Sequence, residues 1–417
     1  MHIFYLELQR ILKTRRVCVM LAASVILSIL LAFAAIHGVS FQYVGQRGQV
    51  KMVSGLAAVD ALRKENNDAY VGPVTVEKLR QALSTCQDVY RKYGDGENIP
   101  ANIINEKIAP IQPFLDAILA VYFPDNSNGN KDLESLNSNQ LNNFYSQQFE
   151  VIKNKLENEY PENQNVLQQA EKMNAQAKIP FTFEKGNADE TAVGLSLLTF
   201  LLVAIGIMIT APNFSSEYQN GADDIFRCTK YGHRKFVVAK LFASLIVLTA
   251  MFFVCSLIFT LLVDSAVGWN SFQTSVQFTY PTDNLVPMNF LQAQSVTFLA
   301  TFLSLLATGC LSLFISTKCR NSTTALIISI AIFMIPVLMG AIVRTRGIIR
   351  DLLTYALPGG SVGFRENFYS QLVSEVSFTQ IGPFSVWVPY LMLGASMIEI
   401  PVFFILAIHT YCKHQTV

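Results

Sequence analysis

The chain has 417 residues, of which 51% are hydrophobic and only 15% are charged, and its mean hydropathy is +0.35. Soluble domains usually carry about 25% charged residues, so this composition excludes an ordinary soluble domain and indicates a membrane protein. The net charge of +1 averages two unlike parts, because residues 38–190 contain 15 Lys/Arg and 20 Asp/Glu while the remainder is net basic.

The first apolar run, residues 17–37, follows the basic stretch LELQRILKTRR. Its length matches the ~20 residues that a helix needs to cross a bilayer. The AFA at residues 32–34 leaves a cleaved signal peptide as an alternative. However, the run exceeds the ~7 to 15 residues of a signal h-region, and an uncleaved first span is predicted.

Residues 38–190 are predicted to form a helical domain outside the membrane. Apolar residues recur there at helical spacing in three stretches, and Thr75 can cap the first helix. The three stripes are Val76, Leu79, Leu83, Cys86 and Tyr90; Leu141, Tyr145, Phe149, Ile152, Leu156 and Tyr160; and Val166, Ala170, Met173 and Ala177. They are the expected core of a small bundle, with aromatic contacts to a partner or substrate as the alternative.

Five further apolar runs predict an all-α polytopic membrane protein with six transmembrane helices and a helical extracellular domain inserted between helices 1 and 2. The remaining five spans are predicted at residues 192–210, 236–263, 296–316, 324–343 and 391–411. Lys and Arg cluster at the N-terminus, after the second and fourth spans and at the C-terminus. The positive-inside rule therefore places both termini in the cytoplasm and the domain outside.

Between the second and third spans lies SSEYQNGADDIFRCTKYGHRKFVVAK, residues 215–240. A helix is expected to start near Asn213 with Glu217 in its first turn, where a carboxylate favours the positive helix end. It would end at Tyr231-Gly232, with Gly232 in the left-handed conformation. Ile225 and Phe226 would anchor a soluble partner on this cytoplasmic helix, residues 213–235. An ordinary basic loop is the alternative.

Residues 344–388 are an exception to the positive-inside rule, because a topology with six spans places their arginines outside the cell. RTRGIIRDLLTYALPGG is expected to form an amphipathic helix in the membrane interface, stopped by Pro358-Gly359-Gly360, with its arginines facing lipid headgroups. This interfacial or re-entrant segment precedes the last span.

The last span contains Glu399, two residues before Pro401. An ionisable residue within a span is costly and is by default a functional candidate, so Glu399 is a possible part of a translocation pathway. A structural hydrogen bond is the alternative. Small and hydroxyl residues of the fourth and fifth spans favour close helix packing over a pore lining: Ser304, Thr308, Gly309, Ser312 and Ser329.

Catalytic and metal-binding motifs are missing from the sequence. It contains no G-x-x-x-x-G-K-[ST], H-E-x-x-H or G-x-S-x-G, so neither a P-loop ATPase, a zinc protease nor a serine hydrolase is indicated. The seven cysteines have no metal-site spacing, and Cys86 alone falls in residues 38–190. No metal, catalytic residue or nucleic-acid partner is predicted.

The polar segment resembles the ABC-2 class of ABC transporter permeases, with E-x-x-x-G followed by G-x-R-x-x-x-x-x-K at the head of a span. The matching residues are Glu217, Gly221, Gly232, Arg234 and Lys240. The opening stretch is also similar to that family's interface helix, basic residues and first span, so residues 1–37 are assigned to these elements. The large domain between the first two spans departs from many members.

The resemblance implies a permease without its own P-loop, which binds no cofactor and pairs with cytoplasmic ABC ATPase subunits that hold ATP and Mg²⁺. A second permease chain, identical or homologous, and membrane lipids would complete the transporter. The segment 213–235 would be the coupling helix that docks on the ATPase, through Glu217, Tyr218, Gly221, Ile225, Phe226, Arg227, Gly232, Arg234 and Lys240.

The expected activity is export of an amphipathic substrate such as an antimicrobial peptide, lipid or drug across a bacterial plasma membrane. Two alternatives belong to other classes. One is a non-transporting sensor or anchor whose outer domain binds a peptide or protein. The other is a channel, against which the absence of charged rings at the span mouths argues.

Overall fold

The computed structural model describes residues 2–44, 50–64, 68–94, 99–124, 130–161, 163–186, 188–228, 232–343, 345 and 347–413. The chain begins with α1 (His2–Lys13), whose Glu7 and Ile11 are buried while Tyr5, Leu6 and Leu12 are exposed. Thr14 has extended backbone angles and leads into α2 (Arg15–Gly38). An amphipathic helix at the end of a span is suited to the membrane interface.

A helical domain follows α2 and has helices over the three periodic stripes, although Leu141 precedes the second helix and Ala177 follows the third. The first stripe lies in the domain core, as predicted. The prediction of a single bundle core was wrong for residues 152–170, whose buried side chains pack against residues of the membrane region. The elements of the domain are β1 (Ser40–Val44), β2 (Val50–Ser54), α3 (Leu56–Lys64), β3 (Gly72–Pro73), α4 (Val76–Tyr93), α5 (Ala101–Ile103), α6 (Gln112–Tyr122), α7 (Asn130–Ser135), α8 (Phe144–Glu159), α9 (Gln164–Asn174) and β4 (Thr182–Phe183). Thr75 caps α4 by accepting a hydrogen bond from the Lys78 amide. The antiparallel hairpin β1–β2 and the short pair β3–β4 were not predicted.

The domain core is built around Phe114 of α6, which is fully buried. Its ring centroid lies 5.2 Å from that of Tyr70, 5.3 Å from that of Phe183 and 5.1 Å from that of Phe278. Phe278 belongs to the connection between the third and fourth spans. The domain core therefore includes part of the connection between the third and fourth spans.

The rest of the chain supplies the remaining spans and their connections. These are α10 (Ala188–Thr210), α11 (Pro212–Gln219), α12 (Ala222–Arg227), α13 (Arg234–Val267), α14 (Val276–Thr279), α15 (Phe290–Lys318), α16 (Ser322–Ile342), α17 (Ile348–Tyr355), α18 (Phe368–Val373), β5 (Phe378–Ile381), β6 (Phe384–Trp387) and α19 (Val388–Lys413). Among the described residues, six helices are long and apolar enough to cross a membrane, and they confirm the six predicted spans: α2, α10, α13, α15, α16 and α19.

Helix α15 lies at the centre of the membrane region, against α10, α13, α16 and α19. The polar and small residues predicted to pack there are buried: Ser304, Thr308, Gly309 and Ser312 on α15, and Ser329 on α16. A Cβ added at Gly309 would lie 2.7 Å from Cδ1 of Leu248 on α13. Glycine therefore leaves room for the Leu248 side chain, which would have to move if residue 309 carried a Cβ.

The ends of the spans define two faces of the molecule. The domain face carries the helical domain together with residues 268–289 and 347–387. The terminal face carries α1, the end of α19 and the connections 211–228, 232–233 and 319–321. On the domain face, the Tyr160 hydroxyl accepts a hydrogen bond from the Phe378 amide at 2.9 Å, and Gln169 donates to the Ser385 carbonyl at 2.8 Å. Residues 347–387 thus lie on the same side as the domain, as six spans require.

The prediction that the arginines of residues 344–388 face headgroups was wrong for Arg350. Helix α17 ends at Tyr355, before Pro358, and Arg350 is only 6% exposed. Its guanidinium donates to Glu366 at 2.6 Å and to Asp351 at 3.2 Å. A buried guanidinium needs such carboxylate partners, which the linear sequence did not reveal. Arg344 and Arg346 lie outside the described residues, and Arg365 is exposed.

Candidate coupling site

The predicted coupling helix is two helices, α11 and α12, and not the single helix expected over residues 213–235. Gly221 separates them with φ +67°. Glycine enters this left-handed region without a steric cost, whereas other residues lose roughly 1–2 kcal/mol there. The chain therefore turns at Gly221. Helix α12 ends at Arg227, before the buried Gly232, and Tyr231 lies outside the described residues.

Glu217 is the centre of a buried charge cluster that joins three elements. It lies in the second turn of α11, not in the first as expected, and is 6% exposed. Arg10 of α1 donates a hydrogen bond to Glu217, and Nζ of Lys240 on α13 lies 2.5 Å from its Oε2. Glu7 lies 3.1 Å from Arg10 and completes the cluster with two charges of each sign.

Burial makes Glu7, Glu217 and Lys240 dependent on their oppositely charged partners, whereas the Arg10 side chain is 39% exposed. A charge removed from water is tolerated only where an opposite charge and hydrogen bonds compensate it. The pKa of Glu7 is raised because burial outweighs the attraction of Arg10 and Lys240. The cluster fixes the beginning of α13 and the interface helix α1 to α11. Sequence reasoning found Glu217 and Lys240 but missed Glu7, whose only signal was its spacing of three residues from Arg10.

A second buried cluster joins α12 to the end of the last span. The Tyr411 hydroxyl of α19 donates to Asp223 at 2.8 Å, and Nε of Arg227 donates to the same carboxylate at 2.6 Å. Arg227 also donates to the Tyr411 carbonyl at 3.0 Å and lies 4.3 Å from the centre of its ring. The ring of Tyr218 is stacked 6.4 Å from that of Tyr411. Asp223 and Tyr411 were not predicted.

The two proposed apolar anchors have different surroundings. Ile225 is 71% exposed on α12, whereas Phe226 stacks on Phe236 of α13 with ring centroids 5.1 Å apart, and Arg10 lies over its ring. Phe226 therefore holds α12 against α13. Arg234 is exposed at the first residue of α13. Docking of these residues on a partner stays a prediction.

Glu399 lies on α19 but not near this site. Twelve residues separate it from Tyr411, which corresponds to roughly 18 Å along a helix. It is half-buried between exposed apolar residues such as Ile398 and Val402. Within the described part of the chain, its Oε2 is buried without a hydrogen-bond partner. This position agrees with a functional carboxylate, and its role in a pathway stays a prediction.

The domain face contains a cavity of about 400 Å³ between the domain and the connection 268–289. Four carboxylates and four aromatic residues are among its lining residues: Asp116, Glu184, Asp189, Asp283, Phe183, Phe278, Tyr280 and Phe290. The hydroxyls of Tyr280 and Tyr369 each donate to Asp189 at 2.6 Å. Burial, followed by the charge of Asp189, raises the pKa of Tyr280. The cavity was not predicted, because its residues are scattered along the chain.

Comparisons with known proteins identify the family of this chain. A search of curated proteins gave no match. The family model described as ABC-2 family transporter protein matches residues 1–413, which is nearly the whole chain and includes the helical domain. The match thus extends beyond the membrane part to which the sequence resemblance was confined. The chain belongs to the ABC-2 transporter family and is a membrane permease of an ABC transporter, a class that associates with an ABC ATPase.

Proposed function

We propose that this chain is the permease subunit of an ATP-driven exporter, with the ATPase docked on α12. The observation that carries this proposal is the attachment of α11 and α12 to three other helices while Ile225 projects outward. Glu217 connects the segment to α1 and α13, and Asp223 connects it to α19. A movement of α12 caused by the ATPase would therefore be transmitted to the spans α13 and α19 and to the interface helix α1.

In this proposal the terminal face is cytoplasmic. Its short connections contain Arg227, Arg234, Lys235, Lys318 and Arg320, which the positive-inside rule assigns to the cytoplasm. ATP and Mg²⁺ would be bound by the partner ATPases. A second permease chain, identical or homologous, would enclose the pathway together with this one, and the helical domain would be extracellular.

The proposed substrate is an amphipathic compound such as an antimicrobial peptide, a lipid or a drug. The outer cavity supports this class, because aromatic rings and carboxylates line the same space. Aromatic walls suit an apolar moiety, and carboxylates suit a cationic one. Glu399 is the proposed polar contact within the membrane.

The test is co-purification of the permease with the ABC ATPase encoded nearest to it, followed by ATPase assays in lipid nanodiscs. Ile225→Asp should weaken docking by about 30-fold, as expected for an interface anchor worth about 2 kcal/mol. Leu56→Asp is the matched control, since Leu56 is 64% exposed on the domain face. Equal ATPase binding by both variants and the wild type would refute docking at α12.

Transport direction needs a separate measurement. Sealed inverted vesicles should accumulate a fluorescent cationic amphiphile when ATP is added outside, because the ATPase side then faces the medium. Loss of preloaded dye under the same conditions would refute export.

A further inference from the structure

A second cavity, of about 340 Å³, lies on the terminal face between α1, the start of α2, the end of α10 and the α11–α12 segment. Its charged lining residues are Arg10, Arg16, Lys240 and Glu217, and with Glu7, which lies 3.1 Å from Arg10, their net charge is +1. Glu217 is already bound by Arg10 and Lys240. The charge excess therefore favours an anionic ligand.

Arg16 is the cation best placed to meet such a ligand. Its side chain is exposed and donates one hydrogen bond to the Met208 carbonyl near the end of α10. A guanidinium has five N–H donors and binds phosphate with two parallel hydrogen bonds. Thr14, Asn213 and Ser216 add polar groups to the same cavity.

The other wall of the cavity is apolar and lies at the depth of the lipid headgroups. It is formed by Ile11, Val17, Ile209 and Pro212. Val17 and Ile209 are at the ends of two spans, so the cavity is at the boundary of the hydrocarbon region. Beyond it, α2 exposes an apolar stripe that a bilayer would cover: Val19, Ile26, Leu30 and Phe33.

We propose that this cavity is a binding site for the phosphate headgroup of an anionic phospholipid, with Arg16 as its main ligand. A free phosphate would use the cationic wall alone. A phospholipid would use both walls, because its glycerol and the first acyl carbons would lie against Ile11, Val17, Ile209 and Pro212. The position of the cavity at the depth of the lipid headgroups agrees with α1, whose exposed Tyr5, Leu6 and Leu12 suit the membrane interface.

The site connects membrane composition to the charge cluster of Glu217. Arg10 and Lys240 line the cavity and also hold Glu217, so a bound phosphate would compete with Glu217 for these two cations and change how firmly α11 is held to α1. The lipid thus acts as a structural ligand of the permease. The inference concerns the permease alone and does not depend on export or on docking of an ATPase.

The experiment measures lipid retention by the purified full chain with native mass spectrometry. The protein is equilibrated in detergent with equal amounts of phosphatidylglycerol and phosphatidylcholine, and delipidation is followed at rising collision energy. The wild type should retain phosphatidylglycerol preferentially. Arg16→Gln should reduce its apparent affinity at least about tenfold, the usual effect of removing a hydrogen bond to a charged group.

Arg15→Gln is the matched control, because Arg15 is an exposed neighbour of the same charge that does not line the cavity. It should leave retention within about twofold of the wild type. Ser216→Leu fills the cavity without removing a charge and should lower retention even if Arg16→Gln does not fold.

Three results would overturn the proposal: no preference for phosphatidylglycerol in the wild type, equal losses in the Arg15 and Arg16 variants, or full retention in Ser216→Leu. A further measurement on the wild type adds inorganic phosphate at millimolar concentration. Displacement of the lipid would assign the site to free phosphate and overturn the lipid assignment. Unchanged retention supports it.

Discussion

Removal of the Glu217 carboxylate should destabilise the protein more than removal of its partner Lys240. In Glu217→Gln, the 1% exposed Lys240 loses the carboxylate 2.5 Å away and is left beside Arg10, with Glu7 as the only negative member. An uncompensated buried charge costs about 3–5 kcal/mol. In Lys240→Met, Glu217 keeps Arg10, so we expect less than half of that loss.

The assay is unfolding in mixed micelles of mild detergent and sodium dodecyl sulfate, followed by tryptophan fluorescence. The free energy of unfolding of the double variant Glu217→Gln/Lys240→Met should be about 2 kcal/mol higher than that of Glu217→Gln, because the unpaired buried ammonium of Lys240 has been removed. Arg234→Met is the control at the exposed start of α13 and should change stability by less than about 0.5 kcal/mol. Equal losses in the two single variants, or strictly additive losses in the double variant, would refute the compensation argument.

Two further predictions concern backbone strain and topology. Gly359→Ala should cost about 2–5 kcal/mol in the same assay, because φ is +96° and the new Cβ would lie 2.6 Å from Phe333. Gly382→Ala has φ +60° but open space around it and should cost only about 1–2 kcal/mol; equal costs would exclude the Phe333 contact as a cause. In single-cysteine variants, a membrane-impermeant maleimide should label the exposed Cys228 and Cys412 in inverted vesicles but not in intact cells. The buried Cys86, whose pKa burial raises to about 12, should react only after unfolding; labelling of Cys228 in intact cells would contradict the proposed orientation.

The periodic features of the fold were predictable from the sequence. The six spans and the stripe of α4 follow from hydropathy and from helical spacing, which are local properties of the chain. The hairpin β1–β2 was missed because helical stripes dominate residues 38–190, and two strands of ordinary length give a weaker pattern than those stripes. The break at Gly221 was missed because a single glycine within a polar helix is compatible with either outcome.

The contacts of the candidate site were not predictable from a single sequence. Glu217 and Lys240 were selected from a motif, but Glu7 comes from the beginning of the chain and Tyr411 from its end. Burial and pairing of such residues depend on the packing of helices that are far apart in sequence. The same reason explains why Arg350 was expected at the headgroups and is instead paired with Glu366.

The two-residue pair β3–β4 has a consequence for the engineering of this chain. Gly72 and Pro73 lie opposite Phe183 and Thr182. The two ends of the segment 74–181 are therefore held next to each other by one short antiparallel pair. Segments whose ends meet in this way can be lengthened, shortened or exchanged without moving the elements that flank them. The pair marks the natural graft point between the six-helix transporter body and its outer module. Chimaeras joined there would need to keep Phe114 of α6, which packs on Phe278, and the face of α8 and α9 that covers residues 268–289 and 347–387.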